Sequence, residues 1–104
     1  MAQHDAYLAF RALHEASGAF IMPNTWDAMS ALIAKLRGFK ALGSSSIAIA
    51  FAAGVDDGVH GVSRADAIAN AALMARVSGL PVNGDLEDGF GPTPEDCILT
   101  VEAA

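Results

Sequence analysis

The 104-residue chain is short of cysteine and of positive charge, and each shortage excludes a class of protein. Its single cysteine, Cys97, cannot form a disulfide within the chain, which argues against a disulfide-framed extracellular module and favours a reducing compartment. Lysine and arginine number 6 against 12 aspartates and glutamates, for a formal net charge of −6. Because nucleic acids and anionic membrane surfaces attract basic proteins, we expect neither as a partner.

The sequence also lacks a long apolar run. The longest, at residues 47–53, is followed by a glycine and two aspartates, and it falls far short of the roughly 18 residues that span a bilayer. The first residues show no basic segment followed by an apolar stretch, so no secretory signal is expected. Yet 53% of the residues are hydrophobic and mean hydropathy is +0.37. The high hydrophobic content indicates that the chain buries most of its surface against further protein or belongs to something larger. The single cysteine and the missing signal lead us to expect a cytoplasmic protein.

Helical and strand-like patterns alternate along the chain. The predicted helices cover about residues 5–16, 24–36, 63–78 and 93 onwards, and the predicted strands cover residues 19–23, 40–45 and 82–86. This alternation is typical of βαβ units, so we predict an α/β fold with parallel strands: a leading helix and about three β/α units. Three strands are too few to close a barrel, and the sequence stops within a predicted helix. We expect residues 1–104 to form a single incomplete barrel domain, truncated before the fourth strand.

Three helix starts repeat one device, a capping side chain three residues before an acid. The pairs are Asn24 with Asp27, Ser63 with Asp66 and Thr93 with Asp96. This spacing predicts a reciprocal capping box, in which each side chain accepts a hydrogen bond from the backbone of the other. These three aspartates are therefore interpreted as helix caps rather than as functional acids.

An acidic run at residues 81–91 is the strongest functional signal. If it continues a strand, Asp85 and Glu87 share one face while Asp88 turns away or begins the loop. Neighbouring carboxylates repel each other unless something neutralises them, and Mg²⁺ or Mn²⁺ prefers oxygen ligands of this kind. The alternative is an acidic loop that merely solvates the strand end. A glycine-rich turn follows directly and leaves room for a ligand.

Polar residues also follow the other predicted strands, where parallel α/β proteins place their sites. The serine run at residues 44–46 offers hydroxyl and backbone N–H groups for a carboxylate or phosphonate, although serine runs are also common in plain turns. Asp56 and Asp57 add carboxylates in a loop that could equally be a solvated turn. In the same loop His60 is interpreted as a surface histidine, and Cys97 as a packing residue.

Five segments, in this order and spacing, carry a resemblance to one enzyme superfamily. They are Pro23-Asn24-Thr25-Trp26-Asp27-Ala28-Met29-Ser30-Ala31, Gly38-Phe39-Lys40, Ser44-Ser45-Ser46, Gly54-Val55-Asp56-Asp57 and Asp85-Leu86-Glu87-Asp88-Gly89-Phe90-Gly91. From about residue 8 to the end the chain resembles the isocitrate lyase and phosphoenolpyruvate mutase superfamily, most closely its smaller bacterial members of the 2-methylisocitrate lyase and phosphonomutase types. The acidic run followed by glycine, an aromatic residue and glycine is the most specific element.

The resemblance implies the N-terminal portion of a TIM-type (β/α)8 barrel in a homo-oligomer, a dimer or a tetramer. It implies a carbon–carbon lyase that depends on Mg²⁺ (or Mn²⁺) and cleaves a small 2-oxo-acid-forming carboxylic acid through a pyruvate enolate. Carried over by position, Asp85 is the direct metal ligand, and Asp57 and Glu87 hold the metal through water. The substrate carboxylate is bound by Ser45, Ser46 and the backbone of Ile47.

Parts of the superfamily pattern are missing from these residues. The acid after the fourth strand, the gating loop with its Lys-Lys-Cys-Gly-His sequence and the substrate arginine have no counterpart, so no catalytic residue is assigned within the chain. We expect the 104-residue chain alone to be inactive. The alternatives are a phosphoenolpyruvate or phosphonopyruvate mutase, a hydrolase or an oxaloacetate decarboxylase on the same scaffold, or a non-catalytic fragment with an open sheet edge. A cysteine-bearing gating loop would favour the lyase.

Overall fold

The computed structural model describes residues 2–104 and alternates helices with short strands. The elements are α1 (Gln3–Glu15), β1 (Asn24–Thr25), α2 (Ala28–Leu36), β2 (Leu42–Ser44), α3 (Ser46–Ala52), α4 (Arg64–Ser78), β3 (Val82–Asn83) and α5 (Pro94–Ala103). The three strands form a parallel sheet in the order β1-β2-β3, with Asn24 paired with Gly43 and Leu42 with Val82. The predicted α/β fold with a leading helix and parallel strands is confirmed.

The first strand lies later in the chain than the sequence pattern predicted. Residues 19–23 are not a strand, and Ile21 is 74% exposed. Pairing begins where the Pro23 carbonyl accepts a hydrogen bond from the Gly43 backbone N–H, at 2.9 Å. Proline has no N–H to donate, so the two-way ladder of hydrogen bonds can start only after it. The apolar run therefore leads into the sheet rather than forming it.

Helix α3 was not predicted at all. The small-residue stretch after β2 forms a helix from Ser46 to Ala52, and the Ser45 hydroxyl caps it by accepting the Ala48 backbone N–H at 3.4 Å. Serine at the N-cap followed by alanine-rich sequence is a helix-start pattern, which the prediction of a strand over residues 40–45 overlooked. The consequence is that a helix begins immediately after the strand end where the site was expected.

The core lies between the sheet and the pair of helices α2 and α4. Its buried members are Ala31, Ala34, Leu42 and Met74, with Phe39, Val77, Leu80 and Val82 packed against them. The buried Thr25 hydroxyl lies 3.3 Å from the Gly43 carbonyl oxygen and 3.2 Å from Met74 Sδ, within donating distance of both. Met74 thus fills the core and also contacts the one hydroxyl that β1 turns inward.

Of the three predicted capping boxes, the one at Thr93 is confirmed in full, and at Ser63 only the serine half forms among the described residues. The Ser63 hydroxyl accepts the Asp66 backbone N–H at 3.1 Å at the start of α4. At the start of α5, Thr93 and Asp96 form the reciprocal capping box, with bonds of 3.3 Å and 3.1 Å. In both cases a short polar side chain satisfies a backbone donor that the first helical turn leaves free.

The third predicted cap, at Asn24, is wrong, because Asn24 pairs with β2 in the sheet. Helix α2 is capped three residues later by Asp27, whose Oδ1 accepts the Ser30 backbone N–H at 2.7 Å. The Ser30 hydroxyl accepts the Asp27 backbone N–H in return, at 3.1 Å. Asp27 is therefore a cap, as the sequence suggested, but the box begins with it instead of ending with it.

We predict that the Asp27 cap makes the stability of the chain depend on acidity. The backbone N–H of Ser30 and then its hydroxyl hold the pKa of Asp27 below its ordinary value of 3.8. A carboxyl whose pKa is lower when folded stabilises the fold above the unfolded pKa, and this contribution is lost as the pH falls through the folded pKa. Asp27→Asn, which keeps the capping oxygen without the charge, should show a smaller fall in urea midpoint between pH 6 and pH 2.5 than the wild-type chain.

Large apolar side chains remain at the surface of several helices. On α2 they follow the helical spacing at Met29, Ile33 and Leu36, which are 67%, 53% and 83% exposed. Further protein packed against this face would remove it from water, as the high hydrophobic content predicted. Within residues 2–104, none of the helices combines the length and the apolar character that crossing a membrane requires.

Candidate active site

The ends of β2 and β3 lie side by side, and Asp85 is fixed between the segments that follow them. Its backbone N–H donates to the Ser44 hydroxyl at 2.7 Å. Its carboxylate accepts two backbone N–H groups, from Ser46 at 3.1 Å on Oδ2 and from Glu87 at 3.0 Å on Oδ1. The hydrogen bond between Ser46 and Asp85 thus joins the serine run to the acidic run across 39 positions, and the two runs lie together as predicted.

The surroundings of Asp85 keep its carboxylate charged. Partial burial by itself raises its pKa, but the backbone N–H groups of Ser46 and Glu87, with the Ser46 hydroxyl, outweigh that effect and hold the pKa below 3.8. A carboxylate oxygen has two lone pairs, so each oxygen of Asp85 can still accept one further partner. Asp85 is a hydrogen-bonded, anionic oxygen donor at the C-terminal edge of the sheet.

The acidic run is arranged by turns rather than by a strand. Strand β3 ends at Asn83, and Glu87 has a positive φ of 53°, so the argument that Asp85 and Glu87 share a strand face is wrong. Asp85 instead accepts the backbone N–H two residues on, and Asp88 does the same for Phe90 at 3.0 Å. Both are turns in which an aspartate side chain stands in for a backbone carbonyl, which accounts for the spacing of the two aspartates.

His60 reaches this site across the loop between α3 and α4. Its Nε2 lies 2.8 Å from Asp88 Oδ1 and 3.9 Å from Glu87 Oε2, and its ring centroid is 5.6 Å from that of Phe90. The hydrogen bond from His60 holds the pKa of Asp88 below its ordinary value. The sequence reading placed His60 at the surface. Its side chain is indeed 41% exposed, but it also joins the two loops.

Two buried carboxylate oxygens have no hydrogen-bond partner among the described residues. They are Asp57 Oδ1 and Glu87 Oε2, the two acids that the resemblance assigns to the outer shell of a metal. Buried polar atoms in folded proteins almost always have a partner, and a carboxylate can only accept. Bound water and a hard divalent cation would supply the missing partners, so the donor chemistry of Asp57, Asp85 and Glu87 fits Mg²⁺.

The serine run has structural roles besides the predicted binding of a substrate carboxylate. Ser45 caps α3, and the Ser46 backbone N–H is already bonded to Asp85. Ile47 follows in the first turn of α3 and is 49% exposed. Ser46 also lines a small cavity together with Asp85 and Glu87. The assignment of the substrate carboxylate to Ser45, Ser46 and Ile47 stays a prediction, and of these three residues only Ser46 lines this cavity.

A clamp that the sequence did not reveal holds the turn after the acidic run. Arg64 Nε donates to the buried Thr100 hydroxyl at 2.7 Å, and that hydroxyl donates to the Gly89 carbonyl at 2.6 Å. Arg64 also donates to the Phe90 carbonyl at 3.3 Å. These contacts span 26 to 36 positions for the arginine, so no local sequence pattern could have indicated them.

We predict that Gly89→Ala disrupts this turn more than its backbone angle alone explains. A Cβ at Gly89 would lie 2.5 Å from Cys97 Sγ, and the residue has a φ of 87°. Gly38 has a φ of 89°, and no described atom lies within 4 Å of a Cβ built there, so Gly38→Ala isolates the backbone cost of about 1–2 kcal/mol. Gly89→Ala should cost roughly 1–3 kcal/mol more in urea unfolding, because overpacking adds to it. Equal losses would contradict this packing account.

With the fold and the site in hand, comparison with known proteins decides the family. The family model described as phosphoenolpyruvate phosphomutase matches residues 10–104. The chain belongs to this family. The resemblance inferred from the sequence motifs is confirmed, and the partial barrel with it.

Relatives of this phosphoenolpyruvate phosphomutase family chain include both lyases and mutases. The 2-methylisocitrate lyase of Halalkalibacterium halodurans is 36% identical over 79% of this chain and 27% of its own length. A Burkholderia cenocepacia J2315 crystal structure described as a lyase/mutase superposes with a TM-score of 0.90 and 40% identity, over 96% of this chain and 35% of that one. The phosphoenolpyruvate phosphomutase of Streptomyces platensis gives a TM-score of 0.86 and 25% identity, over 92% and 33%. The chain spans about a third of the length of the curated relatives that it matches.

Proposed function

We propose that this chain supplies the metal-binding half-site of a Mg²⁺-dependent carbon–carbon lyase. The substrate is a small carboxylic acid that yields a 2-oxo acid, cleaved through a pyruvate enolate. The family contains lyases and mutases, and the 36% identity to a 2-methylisocitrate lyase supports the lyase reaction as the working hypothesis. A mutase, hydrolase or decarboxylase on the same scaffold would share the metal site and differ in the residues that complete it.

The observation that carries the proposal is the pair of buried, unpartnered oxygens on Asp57 and Glu87 within the described chain. Both belong to acids that the resemblance assigns to the outer shell of the metal. A solvated acidic loop, the alternative reading, would leave such oxygens exposed to water rather than buried without partners. The acids are therefore better explained as ligands than as surface charge.

The residues of the chain divide the work between metal and substrate. Asp85 would bind Mg²⁺ directly, since backbone N–H groups already orient its carboxylate and keep it ionised. Asp57 and Glu87 would hold the ion through water. When bound, Mg²⁺ stabilises the negative charge that develops on the substrate oxygen during bond cleavage.

The substrate side of the site uses the serine run. Ser45 and Ser46 would bind the substrate carboxylate through their hydroxyl groups, together with the backbone of Ile47. Asp85 fixes the Ser46 backbone at 3.1 Å, so the substrate-binding segment and the metal ligand are positioned by one contact. This coupling favours a small substrate, whose carboxylate can contact the serine run while its oxo group contacts the metal.

A titration with Mn²⁺, followed by electron paramagnetic resonance, tests the proposal through the outer-shell acids. Asp57→Asn should weaken Mn²⁺ binding by about 10- to 100-fold, the usual effect of losing an outer-shell partner. Asp56→Asn changes the neighbouring exposed acid and is the matched control, which should bind as the wild type does. Equal affinity in all three chains would contradict the assignment of Asp57 to the metal shell.

A further inference from the structure

We propose that Arg64, the first residue of α4, is a positioning residue of the candidate metal site, which holds the turn that carries Glu87 through the buried Thr100 hydroxyl. Arg64 itself would touch neither the metal nor the substrate. This role rests on the proposed function, because it acts on the residues assigned to Mg²⁺. It adds to that site an arginine that lies outside both the serine run and the acidic run.

The turn that carries Glu87 has a strained backbone at two residues. Glu87 and Phe90 have φ angles of 53° and 61°, in the left-handed region that side-chain-bearing residues rarely adopt. Between them, the Gly89 backbone N–H donates to the Leu86 carbonyl at 3.0 Å and closes the turn around Glu87. Strained backbone of this kind persists where surrounding contacts over-determine it. The contacts that reach the turn from other elements therefore decide its shape.

Arg64 and Thr100 reach this turn from two helices, α4 and α5. Thr100 is 1% exposed, and its hydroxyl accepts Arg64 Nε–H at 2.7 Å while it donates to the Gly89 carbonyl at 2.6 Å. The NH2 group of the same guanidinium donates to the Phe90 carbonyl at 3.3 Å and to the Asp96 carbonyl at 3.4 Å. One arginine thus fixes two successive carbonyls of the strained turn and ties them to α5.

His60 and Cys97 also contact the turn, but at Asp88 and in more exposed positions. The side chains of His60 and Asp88 are 41% and 62% exposed, and the Cys97 thiol, a weak donor, lies 3.4 Å from the Asp88 carbonyl. Water can replace an exposed partner, whereas a buried hydroxyl that loses its partner is left unsatisfied. The contact through Thr100 is therefore the one whose loss the turn cannot make good from solvent.

The shape of the turn determines how the two acids of the run face each other. The Glu87 backbone N–H donates to Asp85 Oδ1 at 3.0 Å, so movement of the turn loosens a bond that orients Asp85. The same movement shifts the Glu87 side chain, whose Oε2 is buried without a hydrogen-bond partner among residues 2–104. Arg64 thus acts on both acids through the backbone.

Amide hydrogen exchange and Mn²⁺ titration of the full 104-residue chain together test this role. Arg64→Met keeps a long side chain without donors, and Thr100→Val keeps the shape of the buried side chain without its hydroxyl. Each should speed exchange at the Gly89 and Phe90 amides of the metal-free chain and weaken Mn²⁺ binding by about tenfold or more. Thr100→Ser restores the hydroxyl and should recover most of both properties. Arg76→Met, which removes an exposed arginine of the same helix, is the matched control and should behave as the wild type does.

The two measurements separate this role from general stability and from the proposed function. Gly38→Ala, predicted above to lose stability at a position before β2, should keep the Mn²⁺ affinity of the wild type. Unchanged exchange at Gly89 in Arg64→Met overturns the proposal, and so does faster exchange with wild-type Mn²⁺ affinity. If Arg64→Met does not fold, the same two outcomes in Thr100→Val decide. A wild-type chain that binds no Mn²⁺ would refute the proposed function, while exchange at Gly89 would still decide whether Arg64 holds the turn.

Discussion

Asp85→Asn is expected to weaken Mg²⁺ binding by more than about 100-fold, beyond the 10- to 100-fold typical of outer-shell residues. Asparagine keeps the size of the side chain and one carbonyl oxygen, so it can still accept the backbone N–H that orders the turn. What it removes is the negative charge and the second acceptor oxygen, because an amide NH2 group cannot accept the other of the two N–H groups from Ser46 and Glu87. Calorimetric titration with Mg²⁺ in the presence of oxalate, a mimic of a planar 2-oxo acid, measures the effect.

The control for this variant is Asp5→Asn, which removes the same charge from the exposed first turn of α1. It should leave Mg²⁺ affinity unchanged and show that net charge alone does not produce the effect. Equal affinities in wild type and Asp85→Asn would mean that the acidic run is not a metal site. The two aspartates of the run would then be explained as turn-forming residues.

Met74→Ala is expected to cost about 2–5 kcal/mol of unfolding free energy, the range for removing a large apolar side chain from a core. Met74 is 0% exposed, lies between α2 and β2, and contacts the buried Thr25 hydroxyl at 3.2 Å. Its loss leaves a cavity and deprives that hydroxyl of a neighbour. Urea unfolding should show a lower midpoint with an unchanged slope.

Met29→Ala is the matched control, because Met29 is 67% exposed on the surface of α2. Substitutions at such positions stay within about 0.5 kcal/mol of the wild type. Similar losses of unfolding free energy in the two variants would mean that the core does not lie at Met74. The packing of β1, β2 and α4 would then not explain how the site residues are held in register.

The sequence was informative where a signal is local. Signals between neighbouring residues predicted the Ser63 cap, the Thr93 capping box and the alternation of helices with parallel strands, and the structure confirms these three. The position of β1 could not be predicted in the same way. It depends on pairing with Gly43, a partner 19 positions from Asn24, and not on the apolar run itself.

The missed parts of the site share a physical cause. His60 meets Asp88 across 28 positions because both loops pass through positive φ angles, 53° at His60 and 53° at Glu87, which side-chain-bearing residues rarely adopt. No periodic pattern forecasts such turns. The available clue was the pair of aspartates before a glycine-rich segment, because aspartate side chains often accept the backbone N–H two residues later and so form turns. Asp85 and Asp88 both do so here, where a strand was predicted.

Asp85 is proposed above as the direct ligand of a divalent metal at the C-terminal edge of the sheet. Crystals of the chain grown with Mn²⁺ and measured near the manganese absorption edge would locate the ion by its anomalous scattering. The account predicts a peak about 2.0–2.3 Å from an Asp85 carboxylate oxygen, with the Asp57 and Glu87 carboxylates facing it across water. A peak at other acids with Asp85 uncoordinated, or no peak at saturating Mn²⁺, would contradict it.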